Sequence, residues 1–333
     1  MKKKIISIGG GTGQASILSS LKKLKNINIV SVVGVTDNGG YSGIIRESMG
    51  IPQPGDSRNC IGALCNDDLL LSKLINYRFT EGKLSGISLG NLIIAALTRI
   101  TGDFSEAIEQ TGHLAGIAGK VLPVSKDSTH ICAKLEDGRN IVGEWEIIKR
   151  EPRSKILELY LDSPAKINPS VEKEIIDSDF IIICPGSLCT AIISTLLIQG
   201  VKESIKKSNA KIIYISNIMT QAGQTDNFSL SNHVSFIEKY LDKKIDILIV
   251  NNSIPSSEIL EEYKKEDSLP VEIDICNISN HTRIIFDDLL LNDIEFLIKN
   301  ERPKSENMHV GKHLIRHDPD KLAKIIDKII HEK

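Results

Sequence analysis

The chain has 333 residues, 41 Lys and Arg against 43 Asp and Glu for a formal net charge of −2, and 41% apolar residues. This is the profile of a globular protein with enough chain to bury a large core, in one α/β domain or two smaller ones. The near-neutral balance, with no basic stripe, gives no electrostatic ground for nucleic acid or an anionic membrane, and apolar runs such as 180–184 and 192–198 fall far short of the roughly 20 residues that span a bilayer.

Met1-Lys2-Lys3-Lys4 resembles the start of a signal peptide, but Gly9, Gly10 and Gly11 interrupt the apolar stretch at once, so no leader is expected. Six cysteines (Cys60, Cys65, Cys132, Cys184, Cys189, Cys276) form no C-x-x-C pair and read as reduced, small buried hydrophobes. A cytoplasmic address is expected.

Short β-branched runs at 4–8, 29–36, 180–184, 211–216 and 245–250 read as buried strands of a parallel sheet. Segments 13–25, 57–79, 89–101, 169–178, 189–208 and 231–241 carry apolar residues at helical spacing between them. A stretch from 120 to 162 breaks the alternation: runs at 130–135, 140–146 and 156–162, with an Asp137-Gly138 turn, read as an antiparallel insertion. Asp318 as N-cap and Pro319 in the first turn start a last amphipathic helix through Ile330. The expectation is a Rossmann-like, three-layer α/β fold, with helices on both faces of a parallel sheet, as one domain over 1–333 with a β insertion at about 120–162.

The chemistry is expected in glycine-bearing loops at strand ends. Gly9-Gly10-Gly11-Thr12-Gly13 follows the first strand and opens a helix, so its backbone N–H groups can cradle a phosphate. It lacks the full dinucleotide fingerprint, since Gln14 stands at the third glycine position, and no Lys-Ser/Thr pair makes it a Walker loop. Asp37 ends the second strand where a dehydrogenase acid binds ribose, which keeps an NAD reading open. The following loop, Thr36-Asp37-Asn38-Gly39-Gly40-Tyr41-Ser42-Gly43, leads into the helical pattern Ile44-Ile45-Arg46-Glu47. There Asp37 can orient a hydroxyl, hold Mg²⁺ through water, or only close an Asx turn.

Pro54-Gly55-Asp56-Ser57-Arg58-Asn59 starts a further helix, where capping explains Asp56 and the Arg58 guanidinium suits phosphate recognition. Ser88-Leu89-Gly90-Asn91 offers Asn91 to the same crevice. Cys184-Pro185-Gly186-Ser187-Leu188-Cys189-Thr190 repeats the strand-loop-helix arrangement, with Ser187 and Thr190 as donors of a second anion subsite. Asn217, Thr220 and Gln221 belong to an amide- and hydroxyl-rich loop, 217–225, suited to sugar hydroxyls or a base edge. His309, His313 and His317 recur every four residues, but Gly311 and Pro319 argue against the helix a metal site there would need, and Arg316 is a further anion contact.

Taken in order, Gly-Gly-Gly-Thr-Gly, Thr-Asp-Asn-Gly-Gly-Tyr-Ser-Gly, Pro-Gly-Asp-Ser-Arg-Asn-Cys, Ser-Leu-Gly-Asn-Leu, Cys-Pro-Gly-Ser-Leu-Cys-Thr and Asn-Ile-Met-Thr-Gln-Ala-Gly-Gln-Thr resemble the YvcK/CofD-like family (UPF0052), gluconeogenesis factors related to 2-phospho-L-lactate transferase. The resemblance runs from Ile5 to Ile315-Arg316-His317-Asp318. It implies a UDP-sugar ligand such as UDP-N-acetylglucosamine and a role in gluconeogenic carbon use, cell-wall homeostasis and cell shape. It carries a nucleotide-contacting role to Gly10, Gly11, Thr12, Asp37, Asn38, Asn59, Gly186, Ser187, Asn217, Thr220 and Arg316; the loop readings add Gly13, Gly39, Gly40, Ser42, Arg58, Asn91, Thr190 and Gln221. Tyr41, Cys189 and Gln224 stand where the family usually carries Ser, Tyr and Glu. The expected protein is a homodimeric regulator with no required cofactor, Mg²⁺ being an option with the bound nucleotide. A phosphoryl-linked group transferase is the alternative.

Overall fold

The computed structural model describes residues 2–66, 68–291 and 314–332, and within these not the side chains of 40–42 and 47. The chain opens with strand β1 (Lys3–Gly9), helix α1 (Gly11–Leu21) and β2 (Ile27–Val33). Helices α2 (Gly40–Met49), α3 (Gly55–Leu64), α4 (Leu70–Asn76), α5 (Leu89–Thr101) and α6 (Phe104–Ala115) follow before β3 (Lys120–Pro123). Next come β4 (Ile131–Leu135), β5 (Asn140–Val142), α7 (Glu144–Lys149) and β6 (Ile156–Leu161). Helix α8 (Pro169–Ile176) leads to β7 (Phe180–Ile183). Helix α9 is a π-helical stretch, Leu188–Ile193, running into Ser194–Leu196, and α10 (Val201–Lys207) precedes β8 (Lys211–Ile215). The remainder is α11 (Leu230–Leu241), β9 (Ile247–Asn251), α12 (Ser257–Lys264), β10 (Arg283–Asp287) and α13 (Pro319–His331).

Seven strands form one sheet in the order β3-β2-β1-β7-β8-β9-β10, every pair parallel. The chain winds outward from β1 to β3, then returns to β7 on the other side of β1. Strand order therefore reverses between β1 and β7, which opens a crevice at their carboxyl ends.

Alternation along each strand feeds two cores. Ile5, Ile29, Val33, Ile182, Ile213 and Ile249 face the layer of α1, α3, α6 and α13, while Ile6, Ile8, Val30, Val32, Ile181, Tyr214 and Leu248 face the other. Ile131, Ala133, Leu135, Ile147 and Leu159 join this second core, so the small antiparallel sheet β5-β4-β6 is packed on it. Helix α13 starts as read: Oδ1 of Asp318 accepts from Asp320 N at 2.8 Å and Lys321 N at 3.2 Å, and Leu322, Ile326 and Ile330 are buried.

The three-layer parallel fold is as expected, with four local corrections. Residues 120–123 belong to the main sheet, where β3 pairs parallel with β2, so the antiparallel part spans 131–161. Its expected strand at 140–146 ends at Val142, because Gly143 at φ +105 turns the chain into α7. The helical reading of 57–79 divides into α3 and α4, and that of 189–208 into α9 and α10, with Gly200 at φ +103 between the latter. Helices α6 and α12 and edge strand β10 were not singled out by periodicity.

Five cysteines are buried, Cys276 is exposed, and none is in a disulfide. Among the described residues no helix is long and apolar enough to cross a membrane.

Candidate functional site

At the β1/β7 crevice lies a cavity of about 240 Å³ lined by Gly10, Gly11, Thr12, Gly13, Asp37, Asn59, Gly186, Ser187, Thr190, Asn217, Thr220, Gln221 and Arg316 among the residues singled out above. The two glycine loops touch. A Cβ on Gly13 would sit 2.0 Å from the Pro185 carbonyl oxygen, and one on Gly10 would sit 2.5 Å from Asp56 Oδ2. Gly10 is the N-cap of α1 and Gly11 takes φ +60, so the backbone turns at the strand end and brings the first N–H groups of the helix to the cavity.

Several predicted residues serve the walls. Asp37 Oδ1 accepts from Gly39 N at 2.7 Å, the Asx turn. Asn38 accepts from Trp145 N at 3.1 Å and donates to Glu146 Oε2 at 3.2 Å, tying its loop to α7. Asn217 Oδ1 accepts from Gly186 N at 3.0 Å while its Nδ2 donates to Gly186 O at 2.8 Å. Thr220 N donates to Leu269 O at 2.7 Å, and its hydroxyl accepts from Leu269 N at 2.9 Å.

Asn38, Gly39, Gly40, Arg58 and Asn91 are not part of the lining. Arg58 is buried with its aliphatic stem against Gly90, where a Cβ would meet Cγ at 2.7 Å, and Asn91 is buried on α5. The Ser42 side chain, His309 and His313 lie outside the described residues.

The cavity also gathers Glu144 and Tyr263, which no loop motif contains, together with His317 and Asp56; the capping role expected for Asp56 is not the one observed, because Pro54 is the N-cap of α3, without a side-chain cap bond, and Asp56 stands in the first turn and lines the cavity. Glu144 comes from the insertion, as the first residue of α7, and its Oε1 accepts from the Thr190 hydroxyl at 2.6 Å. Burial, then the neighbouring Asp37 carboxylate, pushes the Glu144 carboxyl well above the ordinary carboxylate range; the Thr190 hydroxyl opposes this and Asp56 adds to it. The shift favours the protonated form relative to an ordinary glutamate, which lessens the negative charge facing an incoming phosphate. The nearest sequence signal was Gly143, which bends the chain toward the site.

The two departures near this loop meet in space. Gln224 Oε1 accepts from Cys189 N at 3.2 Å and Thr190 N at 3.4 Å, and Cys189 Sγ donates to Gln224 O at 3.7 Å. A neutral amide thus takes N–H groups at the start of α9. Burial pushes the Cys189 thiol up to about 12 against the opposing Arg150, so it supplies no thiolate at neutral pH.

His317, the last of the three recurrent histidines, lines the cavity beside Arg316. The residue is 6% exposed, and burial pushes its imidazole down to about 4 although it hydrogen-bonds the Ser216 backbone. Tyr263 accepts at its hydroxyl from Ile315 N at 3.0 Å and holds this segment against the cavity. Among the described residues, no group of three or more His, Cys, Asp or Glu side chains is arranged to hold a metal ion.

A parallel sheet with its strand-order switch between two glycine loops defines a Rossmann-like α/β protein with a small-molecule cavity at the strand ends. The family model described as 2-phospho-L-lactate transferase CofD matches residues 5–290, and the chain belongs to this CofD family. A Thermotoga maritima relative is 46% identical over 326 residues, covering 98% of this chain and 99% of its own. The gluconeogenesis factor of Bacillus subtilis is 36% identical over 335 residues, covering 99% of each. The 2.60 Å crystal structure of a UPF0052 family member from Bacillus halodurans superposes with a TM-score of 0.87 at 35% identity, covering 98% of this chain and 99% of that one.

Proposed function

We propose that this chain is a cytoplasmic regulatory protein that binds a sugar nucleotide, a UDP-sugar such as UDP-N-acetylglucosamine, in support of gluconeogenic growth, cell-wall homeostasis and cell shape. The observation that carries the reading is the meeting of the Gly10–Gly13 and Gly186–Thr190 loops at the strand-order switch, beside a wall of amides and hydroxyls. Helix-opening N–H groups suit a diphosphate, and neutral hydrogen-bonding groups suit the rest of such a ligand. The reading needs no cofactor, and Mg²⁺ would arrive with the phosphates of the nucleotide. A homodimer is part of the proposal, to be measured by light scattering.

Thermal denaturation with UDP-N-acetylglucosamine, UDP-glucose, GDP and NADH tests it, because a ligand of the folded state must raise stability by RT ln(1 + [L]/Kd). A shift with the UDP-sugars supports the reading; shifts with GDP or NADH alone overturn it. One observation favours a second reading, transfer of a phosphorus-containing group: the Glu144 carboxyl, raised above the ordinary carboxylate range by burial and then by Asp37, lines the cavity as a candidate proton donor to a leaving group. Turnover of a nucleotide-linked substrate followed by phosphorus NMR would establish that reading over the regulator.

A further inference from the structure

The cavity lining offers two kinds of groups. The glycine loops and helix starts offer backbone N–H groups. The segments after β8 and before α13, with α12, add the side chains of Asn217, Thr220, Gln221, Tyr263 and His317, with Arg316.

Three of these are spent on building the wall. Asn217 clamps Gly186, Thr220 is paired with Leu269, and the Tyr263 hydroxyl takes the Ile315 N–H. Two polar atoms are left over: Gln221 Oε1 and His317 Nε2 are buried and have no hydrogen-bond partner among the described residues. Leaving buried polar atoms unpaired is costly and uncommon in native proteins, so a pair of them on one cavity wall calls for a partner.

Both atoms are acceptors. An amide oxygen accepts only. The imidazole is kept neutral by burial and donates its one proton to the Ser216 backbone, which leaves Nε2 with a lone pair. A pyranose ring supplies hydroxyl donors, whereas a pyrimidine edge presents mostly carbonyl acceptors.

We propose that the wall carrying Gln221 and His317 is the sugar subsite, in which these two side chains accept hydrogen bonds from hydroxyl groups of the hexose. This rests on the sugar-nucleotide reading above. The two acceptor atoms are covered by the wall, so engagement of the sugar is accompanied by a rotation of Gln221 and a displacement of the groups covering His317 Nε2, with the His317 bond to Ser216 kept. The diphosphate lies toward the glycine loops, and the hexose is read by acceptors rather than by charge.

Calorimetric titration of the full chain, Gln221→Leu and His317→Phe with UDP-N-acetylglucosamine, UDP and GDP tests the assignment. The unaltered chain is expected to bind UDP-N-acetylglucosamine about tenfold or more tighter than UDP, and each variant to lose at least about fivefold more affinity for the UDP-sugar than for UDP. If His317→Phe does not fold, the more peripheral Gln221→Leu decides. Equal losses for UDP and UDP-sugar, or an unaltered chain that does not distinguish them, overturn the subsite while leaving nucleotide binding standing. A chain that binds neither overturns the sugar-nucleotide reading and the subsite with it. Preference for GDP, lost in the variants, assigns the acceptors to the donor edge of a purine and overturns the sugar assignment.

Discussion

The side chain of Asn217 closes a two-bond clamp on the backbone of Gly186, accepting from its N–H at 3.0 Å and donating to its carbonyl at 2.8 Å across 31 positions of sequence. Gly186 has φ +141, a conformation that favours glycine, so the clamp holds an unusual backbone shape at the lip of the cavity. Asn217→Leu removes both bonds and is expected to cost about 1–3 kcal/mol of stability in denaturant melts, together with about tenfold in nucleotide affinity by calorimetry. Asn217→Asp keeps the acceptor but places a carboxylate at the phosphate loop, so its affinity loss should be the larger relative to its stability loss. Melts of Asn217→Leu that overlay those of the unaltered chain would refute the clamp.

Gly13 and Gly50 separate close approach from backbone conformation. A Cβ on Gly13 would lie 2.0 Å from the Pro185 carbonyl oxygen, while Gly50 has open space but φ +62. Gly13→Ala must push the two loops apart and is expected to destabilise by roughly 2–4 kcal/mol. Gly50→Ala carries only the left-handed backbone penalty, about 1–2 kcal/mol. Thermal melts of the two variants side by side decide whether the ranking holds.

The Glu144 carboxyl gives stability a pH dependence of definite sign. Its folded pKa is raised above the ordinary 4.5, by burial first and Asp37 second. The folded chain therefore holds a proton that the unfolded chain releases across that window, and stability is lost as pH rises from the ordinary carboxylate range through the raised value. Glu144→Gln, which is neutral at every pH, should flatten this slope and melt higher than the unaltered chain at pH 7. Parallel slopes from pH 4 to 8 would show that Glu144 is ionised in the fold.

Trp145, the single tryptophan of the chain, reports on the link between insertion and site. Its backbone N–H is tied to Asn38, and Lys149 Nζ stands 4.1 Å from its ring centroid. Ligand entry beside Asp37 and Glu144 should disturb this contact, so tryptophan emission is expected to change saturably on nucleotide titration, with the same midpoint as calorimetry. A flat emission during a calorimetrically proven binding would place α7 outside the response.

How much could be read from the chain alone follows the range of the forces involved. Strands at 4–8, 180–184 and 211–216 were legible because a parallel strand buried on both faces must be almost wholly apolar. The last helix was legible because Asp318 and Pro319 satisfy its open N–H groups locally. The glycine loops announced themselves because Gly11 and Gly186 take a positive φ at the turns, and the packing of Gly13 on Pro185 leaves no room for a side chain. The four-residue β3 carries too little pattern to separate it from the insertion that follows, and only its pairing with β2 assigns it. Tertiary structure alone decided that Asn217 and Thr220 spend their polar groups on the scaffold, that Cys189 meets Gln224, and that Glu144 reaches Thr190 from 46 positions away. Hydrogen-bond partners and buried charges are set by which loops the sheet order brings together at β1 and β7, and no local window of sequence contains that distance.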